Sequence, residues 1–399
     1  MSYLKNMVKN CETTKWLNVN PGTSGFIFNH FVVSNCFSTD ALKYDMILVL
    51  KLNCHDIVFF YKFNQFLNRN QNNPEISMKY SLYFLKIAFI LLVFSLSAPA
   101  QERYKDQITD SVSMETFTYS FKDGQSLDLD AYFPAFDSQT NRPLMIYVHG
   151  GGFYGGKRDE PGVQEFCRKL ARRGYVAVSM SYRLTRKGTA TGFGCDCPAV
   201  DKLNTFHMAV EDIQDATFFM IKNLAKMGID PRKIILSGSS ARAEAVLNAA
   251  YEPPYCYGLE SDPVSYAGVI SFAGAIPDTS RIFKESAVPS MLFHGTCDNL
   301  VPYASASHRY CKESQPGYLI LHGAHTIAEK LKTTATPYWL YTYCNSAHEI
   351  ANQPMTSNFN EIIDFCYTFV MNNGTEQRVT VKKTDNKPCE YQTFNFCNE

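Results

Sequence analysis

The sequence predicts an α/β protein, with a mostly parallel central sheet and helices on both faces. Three observations predict it. Short apolar strands alternate with helical patterns between residues 114 and 371, as parallel crossovers require. Three consecutive glycines follow one of those strands directly, and a serine occupies a tight strand-to-helix turn after another. Ligands of such sheets bind beyond the carboxyl ends of the strands, so residues at those ends carry the chemistry.

The elements follow in order. Phe117–Phe121 and Leu127–Tyr132 flank Asp123-Gly124, a hairpin turn signal. Buried-type strands are expected at Leu144–Val148, Val176–Met180, Ile234–Leu236, Gly268–Phe272, Pro289–Phe293 and Tyr338–Tyr343. Tyr318–Leu321 is a further candidate. Helical patterns cover Val163–Arg172, Thr205–Ala225, Glu244–Ala250, Thr326–Lys332 and Phe359–Met371. Repeats and low-complexity segments are absent.

Composition narrows the function. The 399 residues are 45% hydrophobic and 19% charged, which excludes a disordered chain, a collagen and a coiled coil. Basic and acidic residues balance at 38 each and form no basic stripe, so a nucleic-acid partner is not expected. Met78-Lys79-Tyr80, the apolar run Ile87–Leu96 and Ala98-Pro99-Ala100 together read as a cleavable secretion signal. The run is shorter than the roughly 20 residues that span a bilayer, so membrane contact is expected only through this transient segment. Residues 1–77 precede the signal without a sustained helical or strand period. They read as an untranslated or disordered leader, with translation starting at Met78. The expected organisation is therefore leader 1–77, signal 78–100, catalytic domain 101–375 and a cysteine-bearing tail 376–399. Ten cysteines after the signal, an even number, suit a periplasmic or extracellular protein with disulfides.

Chemistry concentrates at four places. His149-Gly150-Gly151-Gly152-Phe153 follows the strand Leu144–Val148, and its glycines let backbone N–H groups approach a reacting carbonyl. Gly238-Ser239-Ser240-Ala241 follows Ile234–Leu236 and enters a helix, which would project the Ser240 hydroxyl above the sheet. The Ala241 N–H would face the same point, where helix polarity favours negative charge. An acid and a base should follow the serine in chain order. Asp298, just past Pro289–Phe293, is the candidate acid. His348, after Tyr338–Tyr343, is the candidate base, and His325 competes with it. His149 reads as a residue that holds the glycine loop, and His294 as one that flanks a strand end.

The triple-glycine loop, Ser181-Tyr182-Arg183-Leu184, the serine turn, the Asp298 segment and His348 together resemble the α/β-hydrolase superfamily. Within it they resemble carboxylesterases akin to hormone-sensitive lipase, over residues 114–371. The resemblance implies the α/β-hydrolase fold, an acyl-enzyme mechanism and no cofactor. It implies Ser240 as nucleophile, Asp298 and His348 as its acid and base, and an oxyanion hole from Gly151, Gly152 and Ala241. Small or carbohydrate-linked esters are the expected substrates, with lipase and peptidase variants sharing the same machinery.

One position departs from the family turn Gly-x-Ser-x-Gly: Arg242 stands where the last glycine belongs. An arginine there is expected to point outward or to push the turn open, and a displacement of about 1 Å can cost 10²-fold in rate. The alternative reading is therefore a catalytically impaired domain that serves as a binding module. A disulfide is expected between the Cys195/Cys197 loop and a loop carrying Asp298 or His348. Cys389 and Cys397 are expected to clip a local loop or fasten the tail to the body.

Overall fold

The computed structural model describes residues 101–251, 265–384 and 386–398, together with four strands nearer the chain start. The chain divides into two units, Met1–Gln101 and Glu102–Glu399. In the first, Thr14–Leu17, Phe31–Ser34, Met46–Leu52 and His55–Tyr61 pair antiparallel in sequence order. Met46–Leu50 and Ile57–Phe60 supply the apolar, β-branched and aromatic residues that strands favour, in runs too short to establish a period. The expected signal segment, residues 78–100, lies outside the described residues, as does Cys256.

A nine-stranded sheet organises the second unit. In chain order its strands are β1 (Val112–Lys122), β2 (Gln125–Pro134), β3 (Arg142–Val148), β4 (Val176–Met180) and β5 (Ile229–Ser239). Then come β6 (Gly268–Phe272), β7 (Ser290–Gly295), β8 (Tyr338–Tyr343) and β9 (Gln377–Lys382). Across the sheet the order is β9-β8-β7-β6-β5-β3-β4-β2-β1. The β1–β2 and β2–β4 pairs are antiparallel, and the remaining neighbours are parallel. Asp123 and Gly124 close the first hairpin at φ 51° and 75°. A two-residue turn needs both angles positive to match strand twist.

Helices cover both faces: α1 (Pro161–Ala171), α2 (Ala199–Lys222), α3 (Ala241–Tyr251), α4 (Ala324–Thr333) and α5 (Phe359–Phe365). The last continues as a π-helical turn, Cys366–Met371. Period-two alternation divides the core. Leu144, Ile146 and Val148 of β3 join Phe206, Ile213, Val246 and Ile327 from α2, α3 and α4. Met145 and Tyr147 face the opposite way and pack with Phe166, Leu170, Ile362 and Phe365 from α1 and α5. Every residue of β3 is buried, as expected for a strand covered on both sides. Arg183, from the loop after β4, fastens that loop to α2 with Nε 2.9 Å from Asp212 Oδ1. The carboxylate is fully buried and also accepts from the Arg183 backbone N–H, so the pair is satisfied on both sides.

The segment expected as a tail, residues 376–399, includes a strand of the main sheet. Gln377–Lys382 is an edge strand, parallel to β8 along six positions from Tyr338↔Gln377 to Tyr343↔Lys382. Its alternating polar residues carry too little apolar signal to distinguish an edge strand from a tail. Tyr318–Leu321 corresponds to the strand Ile320–Gly323, which belongs to a separate three-stranded sheet with Ala275–Ile276 and Ser305–Ser307. Among the described residues, no helix is long and apolar enough to cross a membrane.

Ile146 sits on the interior strand β3 without exposed surface. Ile146→Ala is expected to destabilise the second unit by about 2–5 kcal/mol through lost contacts and a residual cavity. Urea unfolding of both proteins measures the difference. A midpoint unchanged from wild type would contradict this packing.

Candidate active site

Strand register brings the expected site residues to one edge. Val148 lies opposite Gly238, and Phe272 opposite Ser239, so the ends of β3, β5 and β6 are level. His294 of β7 is level with Thr342 of β8, which aligns the two following loops. The glycine loop, Ser240, Asp298 and His348 all leave the sheet from this edge.

Ser240 stands between β5 and α3 at φ 57°. This left-handed backbone state costs an ordinary residue about 1–3 kcal/mol and persists only where its surroundings enforce it. The Ser240 N–H donates to the Phe272 carbonyl at 2.8 Å, and the Ser240 carbonyl accepts from the Glu244 N–H at 3.1 Å. Gly238 permits the tight return, because a Cβ there would meet the Arg242 carbonyl oxygen at 2.6 Å.

Ser240 Oγ lies 2.6 Å from His348 Nε2, and His348 Nδ1 lies 2.7 Å from Asp298 Oδ2. With the imidazole proton on Nδ1, the serine hydroxyl donates to Nε2 and Nδ1–H donates to the carboxylate. Asp298 is fully buried, and its Oδ1 accepts from the N–H groups of Leu300 and Val301, each at 2.9 Å. Burial alone would raise its pKa. Hydrogen bonds from His294 and His348 outweigh that and hold the carboxyl well below the usual range. His294 is the residue the sequence reading undervalued: its Nε2 lies 3.4 Å from Asp298 Oδ2 and 3.0 Å from the Val301 carbonyl. Its spacing of four before Asp298 across a strand end offered no sequence signal. His325 lies within α4, where its ring stacks on Tyr303 at 5.5 Å between centroids.

Further bonds join the loops. Ser239 Oγ donates to the Ala351 carbonyl at 2.6 Å, tying the serine turn to the turn His348–Ala351. The Cys297 N–H donates to the Ser346 carbonyl at 2.8 Å, and the Asn345 N–H to Thr296 Oγ1 at 2.9 Å. Gly151 adopts φ 125°, and a Cβ there would meet the Gly155 carbonyl oxygen at 2.4 Å, so only glycine fits this bend. His149 faces inward, with Nδ1 3.0 Å from the Gly150 carbonyl and its ring tilted by 36° against that of Tyr182. Burial, reinforced by the Arg242 charge, outweighs the Gly150 carbonyl and pushes His149 down to about 4.

Arg242 neither points outward nor opens the turn, which corrects the expectation. It is fully buried, with its guanidinium carbon 4.0 Å from the Tyr182 ring centroid and 4.5 Å from that of Phe153. Two aromatic faces stabilise the cation in a space that solvent does not reach. Glu244, one turn into the same helix, is also fully buried, and desolvation holds its carboxyl well above the usual range. Among the described residues, no cluster of three or more His, Cys, Asp or Glu side chains could hold a metal ion.

Disulfides fix the rim differently from expectation. Cys195 pairs with Cys311, whereas Cys297 pairs with Cys389 and Cys344 with Cys397. The loops before Asp298 and His348 are thus each stapled to the tail. Aromatic contacts extend this attachment, with Tyr391 stacked on Tyr310 and Phe394 packed edge-on against Tyr303. Cys167, Cys197 and Cys366 are buried thiols.

The strand order and the serine turn at the carboxyl edge are those of the α/β-hydrolase fold. The BD-FAE family model matches residues 129–253, which include the glycine loop and the serine turn. Among curated proteins, chlorogenic acid esterase of Aspergillus niger is 32% identical over 139 residues, covering 34% of this chain and 24% of that protein. Gut esterase 1 of Caenorhabditis briggsae is 28% identical over 148 residues, 36% of this chain and 25% of that protein. The chain spans about a quarter of the length of these relatives. Among solved structures, Thermogutta terrifontis esterase 2 phosphorylated by paraoxon aligns at TM-score 0.48 and 20% identity, covering 69% of this chain and all of that one. The chain has the α/β-hydrolase fold, and curated proteins that it resembles over about a third of its length are named as esterases.

Non-reducing peptide mapping should recover the pairs Cys195–Cys311, Cys297–Cys389 and Cys344–Cys397, with Cys167 and Cys197 alkylated only after unfolding. A Cys195–Cys297 or Cys195–Cys344 peptide would contradict the assignment. His149 generates a second expectation. Its folded pKa lies below the ordinary 6.5, so between about pH 4 and 6.5 the unfolded chain binds a proton that the folded one does not. This contribution to stability is complete above that window and falls as pH drops through it, by at most about 1.4 kcal/mol per unit. His149→Gln should flatten the dependence between pH 4.5 and 7 in urea titrations. Parallel curves for the two proteins would refute it.

Proposed function

We propose that the protein is an exported serine carboxylesterase that hydrolyses small or carbohydrate-linked esters through an acyl-enzyme. The observation that carries the reading is the unbroken chain from Ser240 Oγ through His348 to Asp298, with contacts of 2.6 and 2.7 Å. Support also comes from the esterase relatives, and the chlorogenic acid esterase match favours an ester of an aromatic acid among the substrates to be tried. The three disulfides among the described residues support export, because such bonds persist in oxidising compartments.

In this mechanism His348 Nε2 takes the Ser240 proton as the hydroxyl oxygen attacks the ester carbonyl. The carbonyl oxygen becomes negative and is received by the N–H groups of Gly151, Gly152 and Ala241. The intermediate collapses, and His348 returns the proton to the departing alcohol. Water then enters, loses a proton to the same imidazole and releases the acid. Asp298 stays ionised throughout, orients the ring and stabilises the imidazolium. Its burial and four hydrogen-bond donors suit that duty. Arg242 motivated a binding-only reading, but it packs without separating Ser240 from His348.

Hydrolysis of a chromogenic short-chain ester tests the proposal. Wild type should turn over, Ser240→Ala should fall to background, and Asp298→Asn should lose roughly 10⁴-fold in kcat. Wild type indistinguishable from buffer across a panel from acetate to long-chain and aromatic-acid esters would sink the reading.

A further inference from the structure

Arg242 is a buried cation whose geometry the hydrolytic scheme leaves unused. Its side chain has no exposed surface, and its Nε, Nη1 and Nη2 atoms have no hydrogen-bond partner among the described residues. The two rings that enclose it both belong to the supports of the glycine loop. Phe153 follows Gly152 directly in the chain. Tyr182 packs its ring against that of His149, 4.7 Å between centroids, and donates its hydroxyl to the His149 carbonyl at 3.3 Å. The guanidinium therefore fills the gap between the loop and the segment after β4. It springs from the residue next to Ala241, whose N–H is assigned to the oxyanion.

Packing alone does not require a guanidinium there. A methionine would fill a similar volume against the same rings without an unpaired charge, whose burial is costly. Burial favours the neutral form of Glu244 and draws the Arg242 guanidinium down as well, but a guanidinium starts from so high a pKa that it keeps its proton in proteins. The guanidinium thus has no hydrogen-bonded anion among the described residues, and it belongs to the residue next to Ala241, whose N–H is assigned to the oxyanion.

Resting on the esterase reading, we propose that Arg242 is a positioning residue for the oxyanion. It braces the glycine loop between Phe153 and Tyr182 and contributes an uncompensated positive charge to the intermediate. The intermediate is the missing anion. In a site that excludes water, a charge held in advance stabilises a developing charge more than the same charge in solvent. This role favours the transition state over the ground state, so it should appear in kcat rather than KM.

Three variants, Arg242→Met, Arg242→Lys and Arg242→Gln, separate charge from packing. Each is measured for ester turnover, for affinity toward phenylboronic acid, which forms an anionic tetrahedral adduct on an activated serine, and for urea unfolding. The Met variant should lose about 10²-fold in kcat with KM nearly unchanged, and boronate affinity should weaken with it. The Lys variant should recover to within about tenfold of wild type, because it restores charge without the stacked plane. Should Met fold poorly, Gln carries the same comparison with a polar, uncharged side chain. A folded Met or Gln variant with wild-type kcat and boronate affinity overturns the proposal, as does a Lys variant no better than Met. Wild type without ester turnover overturns the esterase reading and this proposal with it. Wild type with turnover beside an unimpaired neutral variant overturns this proposal alone.

Discussion

The left-handed backbone at Ser240 is the constraint on which the rest of the site depends. A serine does not hold φ 57° by itself; the hydrogen bond to the Phe272 carbonyl and the start of α3 hold it there. That bond exists only because β5 and β6 run parallel and end level. The same register places the glycine loop on one side of the serine and the Asp298 loop on the other. Nothing in this arrangement is local to the turn. A register slip of one residue in β5 would turn Ser240 away and swap Leu236 and Ile235 between the two core faces.

Polar groups reinforce this geometry from behind. Asp298 is buried but fully supplied with donors, and His294 adds a contact that makes its position less dependent on His348. Ser239, beside the serine of interest, reaches instead to Ala351 and locks the His348 turn. The tail then fastens both loops from outside through Cys389 and Cys397. A disulfide removes freedom chiefly from the unfolded chain. Here each also limits how far the Asp298 or the His348 loop can drift from Ser240.

Arg242 shows how a departure from a familiar turn can be absorbed. The expected glycine avoids a clash only if the side chain must occupy the turn itself. In this chain the side chain leaves between Phe153 and Tyr182, and the turn keeps its shape. The space belongs to the underside of the glycine loop. Aromatic residues at both positions are what make a cation tolerable in it.

Much of this was legible from residue order. Apolar runs of five or six residues marked β4, β6 and β8 at their observed ends, because strands buried on both faces tolerate few polar residues. Glycine repeats and a serine before a helix marked the site, since backbone chemistry there restricts residue type. The edge strand β9 was not legible, because a strand with one solvent face and one open edge carries little apolar signal. Cysteine pairing was equally hidden: it depends on which loops meet in space, and Cys195 meets Cys311 across 116 positions. Arg242 was visible as a departure, yet its direction was not. Sequence alone determined the layers of the fold and the residue types at the carboxyl edge, because burial and backbone geometry act position by position. Tertiary structure decided the distances, the partners of Asp298 and the burial of Arg242, because those depend on surfaces contributed by segments far apart in the chain.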